Sequence, residues 1–204
     1  MTQMTTTSSD ALGIMFSEVM SGGFALGHND PATGAQAGKS QPLTMHGSIT
    51  IDDLDAFIAD PAHLGRLDVR MDWAPYGTDI SSFGGVFNLF SPTGDPHLKL
   101  MVYEWGVTHQ GQSYYFAGQK NVKTDPVYDV WRDTTTLYTT LHEGTDKTGP
   151  IAGAGILELT PAQLIEMVGT FTALNSKSVA DDLKATTEFG KFFLGELWHI
   201  YIKK

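Results

Sequence analysis

Apolar and polar positions alternate along much of this chain, and the dominant period is two. Residues 43–51 place Leu43, Met45, Gly47, Ile49 and Ile51 on one side and Thr44, His46, Ser48 and Thr50 on the other. One apolar and one polar face predict a half-buried antiparallel strand. Residues 66–73 repeat the pattern, with Leu67, Val69, Met71 and Trp73 against Arg66, Asp68, Arg70 and Asp72. The mixed signs of that second set suit cross-strand pairs on a wet face. The centre of the chain reads as three consecutive strands, 85–90, 97–108 and 113–121, separated by the turn-rich segment 91–96 and by His109–Gln112. Aromatic and β-branched runs bounded by Pro, Gly and Asp carry that reading. Strands at 134–142 and 151–159 follow, and the glycines of the last allow another backbone to come close.

A different period marks the ends. Leu12, Met15, Phe16, Val19 and Met20 recur at i, i+3, i+4, i+7 and i+8, which predicts an N-terminal helix stopped by Ser21-Gly22-Gly23. Asp52 caps a short helix carrying Leu54, Phe57 and Ile58, and Asp60-Pro61 ends it. Thr160, Pro161 and Gln163 form a capping box flanked by Leu159 and Leu164, so a helix starts there and runs to about Thr172. Ser178 with Asp181 repeats the cap, and the final helix turns Leu183, Phe189, Phe192, Phe193 and Leu197 to the core, with Gly190 and Gly195 marking close helix–sheet contact. Segments 27–42 and 74–84 read as loops, and 1–9 as a frayed Thr/Ser-rich end.

Seven strands joined by short turns argue for a mainly β protein: an antiparallel β-barrel, lipocalin-like in a loose sense, with an N-terminal helix and C-terminal helices. A two-sheet sandwich is the competing architecture. The 204 residues fit one domain, 1–204.

Composition narrows the chemistry. The absence of cysteine removes disulfides, thiolate metal sites and a cysteine nucleophile. A net charge of −10 argues against nucleic acid or an anionic membrane as partner. No apolar run approaches ~18 residues and no secretory leader is visible, so a cytoplasmic protein without a membrane span is expected. The histidines show no metal-ligand spacing, although His46, His97 and His142 sit on strands that could bring them together. No glycine pattern fits a phosphate loop, so no cofactor is expected.

Polar residues inside apolar strands are the first candidates for a site. Glu104 shares a face with Leu98, Leu100 and Val102; Lys120 with Tyr114, Phe116 and Gly118; Asn88 with Val86 and Phe90. If those faces line one barrel interior, the three converge, and Glu104 must pair with Lys120, because a buried charge is costly alone. In the alternative, they point outward and Tyr103, Trp105 and Tyr115 fill the interior. The segment from Trp131 to Thr136, with Arg132 and Asp133, is the second candidate; there Asp133 and the threonines can equally serve local backbone donors.

Several words of the sequence, Met20–Gly27, Gly85–Phe90, Trp131–Leu137 and Phe192–Trp198, resemble a bacterial domain found beside glucose–methanol–choline oxidoreductases of the cholesterol-oxidase-like type. The resemblance spans about residues 16–200 and implies an accessory or lipid-related setting. It carries no catalytic motif, and the chain lacks a flavin-binding glycine fingerprint.

Three functions follow as expectations. The first is binding of an apolar small molecule, sterol-, terpenoid- or lipid-like, in the barrel, with Asn88, Tyr114, Phe116, Trp131 and Trp105 as ligand contacts. The second is an isomerase or cyclase using Glu104 or Asp133 as acid or base and Tyr103 or Lys120 to polarise the substrate. The third is an interaction module pairing through its terminal helices, with a homodimer as one form.

Overall fold

Strand pairing among the described residues is antiparallel throughout, and it closes on itself. The computed structural model describes residues 10–123 and 130–201, with side chains for 10–123 and 132–195; the expectation for 1–9 lies outside them. The strands are β1 (Gly13–Gly22), β2 (Phe24–Leu26), β3 (Leu43–Ile51), β4 (Leu64–Trp73), β5 (Gly77–Ser81), β6 (Phe83–Pro92), β7 (Leu98–His109), β8 (Gln112–Lys123), β9 (Thr136–Glu143), β10 (Ile151–Glu158) and β11 (Thr172–Leu174). The helices are α1 (Pro31–Ala37), α2 (Leu54–Ala59), α3 (Val130–Thr135), α4 (Pro161–Gly169) and α5 (Val179–Tyr201). Strands β1, β3, β4, β6, β7, β8, β9 and β10 form an eight-stranded barrel. Its seam joins β1 to β10 through one registered pair, Ser21↔Glu158, while β2 pairs with Gly153–Gly155 of β10 and β11 with the start of β1.

The first barrel strand corrects the expected N-terminal helix. Residues 14–22 pair with β3 without a break, from Ile14↔Ile51 to Gly22↔Leu43. Ile14, Phe16, Glu18 and Met20 are buried inside the barrel. The helical spacing of Leu12, Met15, Phe16, Val19 and Met20 competes with a period of two that passes through Glu18. Pairing with β3 along one edge, and with β11, the Thr170 side chain and β10 along the other, gives the backbone of the segment partners on both sides, and that decides the outcome.

The other strands agree with the alternation. The segments read as loops hold more structure than expected: α1 lies within 27–42 and β5 within 74–84, while β2 forms just before the first of them. Asp30 caps α1 by accepting from the Thr33 amide at 2.9 Å. Gly34 lets α1 lie directly on β10, since a Cβ there would stand 2.0 Å from the Ala154 carbonyl oxygen. Asp53 rather than Asp52 caps α2, while Asp52 pairs with Arg66 at 2.9 Å. The Thr160–Gln163 capping box is present. Its helix stops at Gly169, because Thr172 enters β11.

Helix α5 turns Phe189 to the core, with Phe192 and Phe193 partly buried against it. Leu183 is exposed instead, and Leu197 lies outside the described side chains. Gly190 and Gly195 do not mark close contact: a Cβ at either would meet nothing within 4 Å.

The interior is not uniform along the barrel axis. One end is filled by rings: Trp105 stacks on Phe116 at 4.8 Å, and Phe24 meets Trp73 at 5.1 Å and Phe116 at 5.5 Å. The other end, where Phe16, Phe87, Leu89 and Met101 face inward, is roofed by α4 and α5.

Candidate functional site

Three polar side chains reach the barrel interior from two opposite walls. Tyr103 on β7 and Lys120 on β8 are diagonal neighbours, because Met101 registers with Lys120 and Tyr103 with Gly118. Glu18 comes from β1, four strands round the barrel from β7. The side chains of Lys120 and Glu18 are 2% and 1% exposed, and their charged atoms stand 2.8 Å apart. Tyr103 Oη donates to Glu18 Oε2 at 2.7 Å, and Lys120 Nζ donates to Glu18 Oε1 and to Tyr103 Oη at 2.8 and 3.3 Å. The ammonium also stands 4.8 Å from the centre of the Tyr103 ring. Burial, reinforced by the neighbouring carboxylate, raises the Tyr103 phenol well above its ordinary pKa. It therefore stays protonated and remains a donor.

This cluster borders a cavity of about 310 Å³ at the roofed end of the barrel. The walls are apolar: Phe16, Phe87, Leu89 and Met101 from the barrel, Leu159, Leu164 and Met167 from the β10–α4 corner, Phe193 from α5. Thr134 and Thr135 join them at the end of α3. Val168 and Leu194 line the cavity and are yet 50% and 64% exposed, so its mouth lies between α4 and α5.

The residues singled out from sequence are scattered relative to this cavity. Tyr103 and Lys120 line it. Glu104 does not: it is on the outer face of β7, where it accepts from Tyr115 Oη at 3.0 Å and pairs with Lys147 at 2.7 Å. Burial and that carboxylate push the Tyr115 phenol up to about 12. The expected Glu104–Lys120 pair is thus corrected. Glu104 registers with Ala117, as the hairpin geometry requires, but 117 and 120 differ by an odd number and face opposite ways. Asn88 is also on the outside of its strand, donating to the Ala62 carbonyl at 3.0 Å. Asp133 accepts from the Lys123 amide at 3.3 Å, tying α3 to the end of β8. Trp105 and Phe116 face inward but belong to the filled end, and Tyr114 packs on Tyr76 at 5.4 Å. The side chain of Trp131 lies outside the described residues.

Glu18 is the residue that sequence reasoning missed. Reading 14–22 at period two would have found it, at the cost of accepting a carboxylate in an apolar row. His46 is held by Asp72 at 3.2 Å and His142 by the Gly149 carbonyl at 2.9 Å, so these two do not form a shared site. Among the described residues no group of three or more His, Cys, Asp or Glu could hold a metal ion, and no helix is long and apolar enough to cross a membrane.

Comparison of the chain with protein-family models, curated proteins and solved structures finds no match.

Proposed function

We propose that the chain binds a small apolar molecule in the cavity at the roofed end of its barrel. The observation that carries this reading is an apolar cavity with a buried Glu18–Lys120–Tyr103 cluster on its wall. Such a cluster is a poor way to stabilise a core, because apolar residues of similar volume are often as good or better. An apolar pocket with a few convergent polar groups is the usual form of a small-molecule site. The volume of about 310 Å³ lies at the low end of the range of roughly 300–1,000 Å³ for such sites. A terpenoid or a short lipid therefore suits the cavity better than a sterol. A lipid-related ligand also accords with the resemblance to a domain found beside glucose–methanol–choline oxidoreductases.

Thermal-shift and native mass-spectrometry screens over terpenoids, short lipids and sterols test the reading. A ligand at a hundred times its dissociation constant stabilises by about 2.7 kcal/mol. At ~2–4 °C per kcal/mol for a chain of this size, the melting point should rise by roughly 5–10 °C. No shift and no retained mass across the panel would sink the proposal.

A second reading is acid–base catalysis of the isomerase or cyclase kind. It is favoured by one observation: a carboxylate, an ammonium and a phenol all border the same cavity. The base would be Glu18 rather than Glu104 or Asp133, which face elsewhere. Lys120 would polarise the substrate. In that case Glu18→Gln abolishes turnover of a bound ligand while binding persists.

A further inference from the structure

We infer that the ligand of this cavity is uncharged and meets the polar cluster through a hydrogen-bond acceptor, a ketone, aldehyde or ester carbonyl, offered to Lys120. The inference rests on the binding reading above and adds the chemical class of the ligand.

Two accounts lead to it. The first counts donors. The Tyr103 hydroxyl hydrogen is committed to Glu18 Oε2. An ammonium has three N–H donors, and Lys120 spends two, on Glu18 Oε1 and Tyr103 Oη. The third is left for an acceptor, and Lys120 borders the cavity. Against walls that are apolar apart from this cluster, Thr134 and Thr135, a carbonyl oxygen uses this donor and brings no donor of its own to be matched.

The second counts charge. Glu18 and Lys120 cancel one another, and the Tyr103 phenol is neutral. Lys120 is the one cation among the described residues that line the cavity. A carboxylate ligand would put a second negative charge beside Glu18 with no cation to match it, in a site where an unpaired charge is costly. A ligand amine would add an unmatched positive charge in the same way. The site therefore discriminates against fatty acids, the common cargo of an apolar pocket, and in favour of neutral oxygenated molecules.

The test uses the full chain and three probes of one carbon skeleton: a monoterpene hydrocarbon, its ketone and its carboxylate, titrated calorimetrically at pH 8. A hydrogen bond to a charged donor predicts that the ketone binds roughly ten- to a hundredfold more tightly than the hydrocarbon. The carboxylate should bind more weakly than either. A double variant, Glu18→Gln with Lys120→Met, should keep hydrocarbon binding and lose the preference for the ketone. If the carboxylate binds as well as the ketone, or the ketone no better than the hydrocarbon, the inference is overturned and the binding reading stands. If none of the three binds, while the wider screen finds no ligand either, both fall. Should the double variant not fold, the ranking of the three probes on the unaltered chain still decides.

Discussion

Replacing Lys120 by Met removes the cation from a desolvated pair. Met fills much of the same space, so cavity formation is a small part of the cost. What remains is the Glu18 carboxylate, 1% exposed, with Tyr103 Oη as its one retained donor among the described residues. Breaking a buried pair from one side costs about 3–5 kcal/mol. That is a large share of the ~5–15 kcal/mol by which folded domains are stable. Equilibrium urea unfolding reads it directly: at a slope near 2 kcal/mol/M the midpoint should fall by about 1.5–2.5 M with the slope unchanged. Adding Glu18→Gln removes the stranded charge and keeps an acceptor for Tyr103. The double variant should therefore recover most of the loss, leaving it within about 1–2 kcal/mol of the parent chain. The outer pair is the control. Lys147 is 63% exposed, so Lys147→Met should cost about 0–1 kcal/mol. A Lys120→Met cost as small as the Lys147→Met cost would refute the reasoning, since it would mean that water reaches Glu18.

Alkaline pH and two glycines give further tests. The Tyr103 phenol is raised well above 10 in the folded chain. Between about pH 10 and that raised value the unfolded chain has lost a proton that the native chain still holds. Stability from this group is thus complete below about pH 10 and falls above it by roughly 1.4 kcal/mol per pH unit, and Tyr103→Phe should make that limb shallower by about this amount in a pH series of urea melts, the slope from the raised Tyr76 and Tyr115 phenols remaining. At Gly190 an added Cβ meets open space, so Gly190→Ala should stabilise α5 by roughly 1 kcal/mol in a thermal melt. At Gly34 the same change drives a Cβ into the Ala154 carbonyl, and overpacking should cost about 1–3 kcal/mol.

Alternation made most of the barrel readable. The strands at 43–51 and 66–73 are where period two puts them, the Thr160–Gln163 box starts a helix, and the hairpin register brings Glu104 opposite Ala117. The failures share a cause. Glu18 is buried because of Lys120, and the two are 102 residues apart. Within its own segment a carboxylate at that place breaks the apolar row, and the rival helical period looked cleaner. Parity hid the rest of the site: the offset between 117 and 120 sets Glu104 and Lys120 on opposite faces, so the pair expected between them could not form. Gly190 and Gly195 show the limit of composition. A glycine in a helix is compatible with tight contact and with none, and only the neighbours decide.

The seam of the barrel has a kinetic consequence. Strands β1 and β3 to β10 pair in sequence order with near neighbours, whereas the seam must bring β1 and β10 together from opposite ends of that run. Loop-closure entropy makes that meeting late. Glu18 sits on the first strand of that run and Lys120 four strands or more further along, so the two meet only when the sheet rolls up. The ion pair is thus expected to fasten like a clasp as the barrel closes, outside the folding nucleus. Loosening it should leave the speed of folding nearly untouched and show instead as faster unfolding, so that the clasp sets how long the barrel stays shut.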